Sequence, residues 1–255
     1  MKFFSVFHFH YVNLFDKKNS LIMMICLLIY CLSSFLIYGA ESPTFEAVYF
    51  VFYAPRVPTL DLFRALLLVL SFLLIFTHFF QTEVRGRSSY ILLRIKNMKL
   101  YFHSLFSVMI LFTFVFVIIG YVIALLLTFI FSKVEITQTE SLSYTINGSV
   151  LCQQYLLLAL SITALLLINN VIVLLIKNIE IATVILVLIF IGSFYFVSMY
   201  PNQYLYIPFL YGFFDFQSNL ADREYLLEVT ILCFSSIVLY GISYLIYRGR
   251  KDFFS

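Results

Sequence analysis

The chain carries four histidines, four cysteines and thirteen acids, and their spacing limits the chemistry open to them. His8 and His10 form an H-x-H pair, yet on a helix the two rings point to different faces, and no carboxylate or cysteine cluster accompanies them. A solvated or interfacial pair is expected there, not a metal site. Cys26, Cys31, Cys152 and Cys233 all fall inside apolar runs, where they are expected to pack, buried and reduced, as small apolar groups. ATP hydrolysis needs a glycine-rich phosphate cradle ending in Gly-Lys-Ser/Thr, and none occurs. No nucleophile–base pair or facing carboxylates can be assembled within the apolar runs either, so no enzymatic activity is expected of this chain alone. Gln153, Gln154, Asn169 and Asn170 are polar groups within one such run. They could line a pathway, but hydrogen bonding between helices is the commoner role. His78 is read as an interfacial or packing residue.

The elements that must carry these residues follow from composition. Hydrophobic residues make up 63% of the chain and charged residues 11%, with a mean hydropathy of +1.01. Too few charges remain to clothe a soluble domain, so the solvent must be mostly lipid. Charge-free gaps place six helical spans near 21–38, 62–80, 104–131, 150–176, 181–199 and 227–247. Each is close to the length of about 20 residues that crosses the hydrocarbon core as helix. Long unbroken apolar runs exclude a β-barrel, whose strands would be short and alternating. The expected fold is therefore all-α and polytopic, one transmembrane domain over 1–255.

Orientation follows from the basic residues, which are retained on the cytoplasmic side. Twelve of the sixteen lie before the first span, between spans two and three, between four and five, or after the sixth. Nine of the thirteen acids, among them Glu41, Glu46, Glu135, Glu140, Asp215, Asp222, Glu224 and Glu228, fall on the other side, where they are expected to solvate loops. Both termini are thus expected in the cytoplasm. The first apolar run follows an 18-residue lead-in and lacks a good small-x-small cleavage site, so it is read as a retained span. With no Trp, interfacial anchoring falls to tyrosines such as Tyr49, Tyr53, Tyr200, Tyr204, Tyr206 and Tyr211.

Within residues 1–19, Phe4, Phe7, Tyr11, Leu14 and Phe15 cluster on one side of a helical wheel and Ser5, His10, Asn13, Asp16 and Lys17 on the other. This predicts an amphipathic helix lying on the inner leaflet, although Phe9 and His8 break the pattern. The segment from Gln81 to His103 carries Arg85, Arg87, Arg94, Lys96 and Lys99 against the single acid Glu83. Such a run anchors to lipid phosphates, but the interspersed Tyr90, Ile91, Leu92, Leu93 and Ile95 are more than an anchor requires. Docking to a protein and anchoring to lipid are equally compatible with it.

In these features the chain resembles the membrane subunits of type-2 ABC exporters, which pair with a separately encoded ATPase. The resemblance rests on six spans, inside termini, the amphipathic N-terminal helix, and the pattern Glu83, Gly86, Leu92, Leu93 and Arg94 between spans two and three. A proline that often follows the Leu pair is absent, and Lys96-Asn97 stands there. The resemblance implies that Arg85 to Lys99 includes the coupling helix that seats on the ATPase. It also implies that the tight link Lys177 to Glu180, otherwise an ordinary helical hairpin, makes a second contact. The Pro-broken aromatic stretch from Tyr200 to Leu226 would form short interfacial or re-entrant helices. On this reading the partners are a cytoplasmic ABC ATPase, a second membrane subunit, identical or not, and membrane lipid. ATP and magnesium are bound by the ATPase and no cofactor by this chain, and no nucleic-acid partner is expected. The small size resembles bacterial systems that export antimicrobial or amphipathic peptides, and the Phe- and Ile-rich, Ala-poor composition points to an AT-rich genome, hence to a bacterial cytoplasmic membrane. The alternatives are a non-transporting sensor or accessory subunit, and an ion-coupled secondary carrier, although the middle of every span lacks an ionisable residue.

Overall fold

The computed structural model describes residues 3–36, 48, 51–52, 58–83, 98–131, 148–176, 178–200, 206–213 and 222–249. These form α1 (Phe3–Leu14), α2 (Lys17–Ser34), α3 (Pro58–Gln81), α4 (Met98–Phe131), α5 (Gly148–Ile176), α6 (Ile179–Met199) and α7 (Asp222–Gly249), with a single 3₁₀ turn at Pro208–Leu210. Among the described residues there is no strand. Six helices, α2 to α7, are long and apolar enough to cross a membrane. The expected spans are recovered, with α3 and α7 starting about two turns, and α4 about half a turn, before the charge-free gaps.

Local chemistry explains several helix ends. Pro58 opens α3, where its missing N–H costs nothing, and Asp61 lies in the first turn facing the positive end of the helix dipole. Asn178 caps α6, its Oδ1 accepting from the amides of Glu180 at 3.0 Å and Ile181 at 3.3 Å. The chain leaves helical geometry at Asp16, which separates α1 from α2 and lets α1 take its own direction.

The helices pack around a main apolar core, with a smaller cluster of Leu157, Ala164, Tyr211 and Leu232 beside it. α3 and α5 are its centre, each 67% buried over its apolar stretch, whereas α7 is only 11% buried and presents Phe234, Ile237 and Leu245 outward. In lipid an outward apolar side chain is in its own solvent, so the bundle needs no polar shell around its girth. Polar contacts tie the centre together. Asn169 of α5 donates to Thr77 Oγ1 of α3 at 3.0 Å. Tyr155 of α5 donates to the Phe114 carbonyl of α4 at 3.3 Å.

Several expectations are corrected. The stripe of α1 covered by protein is Val6, His10 and Leu14, at four-residue spacing, and Phe4 of the expected apolar face is 78% exposed. This stripe packs on α4, with Phe15 beyond it against Phe112 and Phe116. His10 is therefore neither solvated nor interfacial. Of the cysteines, which are all free, only Cys31 is buried; Cys152 and Cys233 lie on the outer surface of the bundle. Glu228 is not a loop acid but a fully buried residue of α7. Tyr200 and Tyr206 are exposed as anchors should be, but Tyr211 is buried.

Candidate functional site at the basic end of the bundle

One end of the bundle carries Lys17, Lys18, Lys99 and Arg248, all exposed. Between them, α1, the end of α3 and the start of α4 converge on Glu83. This residue sits in the wide helical turn that continues α3, and its carboxylate is completely buried. His10 Nδ1 lies 3.1 Å from Glu83 Oε2, and Asn13 Nδ2 donates to Oε1 at 3.3 Å. Tyr101 of α4 donates its hydroxyl to the Glu83 backbone carbonyl at 2.9 Å. The imidazole is boxed by aromatic rings, edge-on to Tyr101 at 4.9 Å and to Phe79 at 6.4 Å. A buried carboxylate without partners would be prohibitive, and the His10 and Asn13 side chains of α1 are among the groups that meet Glu83 where it turns inward. The α1 residues that meet it, His10 and Asn13, lie one helical turn apart. The sequence signal was there in Val6–His10–Leu14, but a helical wheel read alone sends a histidine outward.

The residues expected to contact an ATPase divide accordingly. Glu83 faces the bundle interior. Arg85, Gly86, Arg87, Leu92, Leu93, Arg94, Lys96 and Lys177 lie outside the described residues. Glu180 is exposed in the first turn of α6, beside its Asn178 cap. The four pathway candidates do not form one site. Gln153 and Gln154 sit near the start of α5 and Asn169 and Asn170 near its end, about 22 Å apart at 1.5 Å per residue. Asn169 serves as an interhelical bond, while Gln154 and Asn170 are buried and Gln153 half-buried. His78 is exposed. On the same end, His103 stacks on Tyr244 and its Nδ1 meets the Tyr240 hydroxyl, joining α4 to α7.

The opposite end holds a second buried charge constellation that sequence reasoning passed over. Arg64 of α3 donates from Nε to Ser34 Oγ at 2.9 Å, from Nη1 to Asp61 Oδ1 at 3.0 Å, and from Nη2 to the Val51 carbonyl. Tyr30 donates to the same carbonyl at 3.0 Å. Asp61 and Arg64 line a small cleft with Tyr30, Phe52, Phe194 and Phe213. The i, i+3 spacing of Asp61 and Arg64 at a span's edge was the available sign. Nearby, the Gly212 amide donates to Ser161 Oγ at 2.9 Å, seating the 3₁₀ turn on α5. Of the expected re-entrant stretch, only residues 206–213 are described apart from the helix ends. No group of three or more His, Cys, Asp or Glu able to hold a metal ion occurs among the described residues.

Fold and composition together define a membrane-embedded, multi-pass helical protein. Set against protein-family models, characterised proteins and solved structures, the chain matches none of them.

Proposed function

We propose that the chain is the permease subunit of an ATP-driven ABC exporter of the bacterial cytoplasmic membrane, with both termini in the cytoplasm. It works with a second membrane subunit and a cytoplasmic ATPase that binds ATP and magnesium. Its cargo class is amphipathic or antimicrobial peptides. The observation that carries this reading is the setting of Glu83. The basic segment of 85–99 begins two residues after it, and Glu83 is tied to α1 through His10 and Asn13 and to α4 through Tyr101. A push delivered to that segment by a closing ATPase would act on three helices at once, which is what switching a bundle between two packed states requires. Glu180 at the exposed N-terminus of α6 supplies a smaller second contact.

The test is co-expression with the ATPase encoded beside it. Stable co-purification, abolished by charge reversal at Arg87 and Arg94, is expected. An association unchanged by that reversal, or none with any neighbouring ATPase, rejects the reading in favour of a non-transporting accessory subunit.

A further inference from the structure

We propose that the seam between the start of α4 and the end of α7 binds the headgroup of an anionic phospholipid, with its phosphate held between Lys99 and Arg248. This stands whether or not the chain works with an ATPase.

The register of the two helices brings the cations together. Phe106 meets Tyr240 at 5.3 Å between ring centroids, Phe102 meets Tyr244 at 5.4 Å and Tyr247 at 5.1 Å, and the His103 ring stacks on Tyr244 at 5.9 Å and 16°. Lower numbers on α4 thus meet higher numbers on α7, so the two helices run antiparallel along this seam. Lys99 lies one turn before His103, and Arg248 one turn after Tyr244. The two bases therefore occupy the next rung of the same ladder. Both are exposed, and neither makes an ion pair with a described residue. Two like charges on one rung repel each other, and an anion lying between them turns that repulsion into two attractions.

The surface below the rung favours a lipid's phosphate over a free one. From Lys99 the outward face of α4 passes through exposed His103 and half-buried Ser107 to exposed Ile110. That stretch is about 16 Å long at 1.5 Å per residue, close to the roughly 15 Å of hydrocarbon in one leaflet. From Arg248 the outward face of α7 passes through exposed Leu245, Ile242, Val238 and Phe234. Acyl chains can follow both faces while the phosphate meets both bases. The His103 and Tyr244 rings lie just beneath, at the depth where amphipathic rings settle in a membrane. A free phosphate would use the charges alone, and an acidic protein surface would leave the apolar faces uncovered. The lipid also has structural value here, because α7 is only 11% buried by protein over its apolar stretch and a shared headgroup ties it to α4.

The experiment titrates the full chain in neutral detergent with phosphatidylglycerol and with phosphatidylcholine of the same acyl chains, counting bound lipids by native mass spectrometry. The first phosphatidylglycerol should bind Lys99→Gln with Arg248→Gln about thirtyfold more weakly, near fivefold for each base. It should bind Lys17→Gln with Lys18→Gln, which loses the same charge from the same end, almost as tightly as the unaltered protein. Phosphatidylcholine, which has the phosphate but no net charge, should bind the unaltered protein several-fold more weakly than phosphatidylglycerol. An equal loss in both variants reduces the effect to diffuse charge and overturns the proposal, as does no loss in the first. Displacement of the lipid by inorganic phosphate at equal concentration would make the ligand a free anion, and the lipid assignment falls. Unchanged lipid affinity together with loss of an acidic protein partner would give the seam to that protein instead. Should the first variant not fold, the unaltered protein decides, and equal affinity for the two lipids sinks the proposal.

Discussion

His10 Nδ1 stands 3.1 Å from Glu83 Oε2, so that the first helix of the chain is held by the residue that ends its second span. Because neither group touches solvent, removing one partner costs the other a buried polar contact. Glu83→Ala is expected to destabilise the bundle by about 3 kcal/mol or more, since a buried polar pair broken on one side loses its compensation. The double change His10→Leu with Glu83→Met should cost clearly less. Reversible unfolding in mixed micelles, followed by circular dichroism, measures both.

At the other end Arg64 holds three oxygens from three parts of the chain. Arg64→Lys keeps the charge but loses the planar fork, and a loss of about 1–3 kcal/mol is expected from the unmade bonds. Arg64→Ala, which also removes the guanidinium beside Asp61, should exceed it in the same assay. If lysine is as good as arginine, the fork geometry is not what matters.

Gly212 is required by close approach. A Cβ there would fall 2.4 Å from Leu158 Cα and 2.8 Å from its nitrogen, backbone atoms that cannot step aside. Gly212→Ala should therefore displace the 3₁₀ turn from α5 and cost about 1–3 kcal/mol. Gly192, in the middle of α6, has nothing within 4 Å of its added methyl, and Gly192→Ala should be neutral or stabilising by up to about 1 kcal/mol. Paired melting curves of the two variants test the contrast.

Asn169 and Thr77 form a double-mutant cycle. If their bond is helix-to-helix glue, Asn169→Leu and Thr77→Val should show a coupling of about 0.6 kcal/mol, typical for bonds of this kind in a bilayer. A coupling near zero would return Asn169 to the list of pathway residues.

Much of the fold was legible from composition and charge spacing. The gap from Ala65 to Thr82 becomes α3, and the four-residue link at 177–180 becomes the Asn178-capped start of α6. The site was less legible. Glu83 was singled out for its place in a basic segment, yet it turns inward. A helical wheel puts His10 on the polar face of α1 because it sees one helix at a time, and the carboxylate beside which it is buried lies beyond two spans. Glu228 was read as a loop acid because it borders a charge-free gap, whereas α7 begins earlier and carries it into the interior.

The sequence by itself determined the solvent of this protein, the number of its spans and which segments carry charge, because these depend on local sums: apolar residues per helical length and bases per loop. Only the tertiary structure decided which face of α1 is buried, that Glu83 answers His10, that Arg64 gathers Ser34, Asp61 and Val51, and that Asn169 bonds Thr77. Those outcomes depend on the partner available at each buried position, and a buried polar group is tolerated only where another element brings the complementary atom within hydrogen-bonding distance.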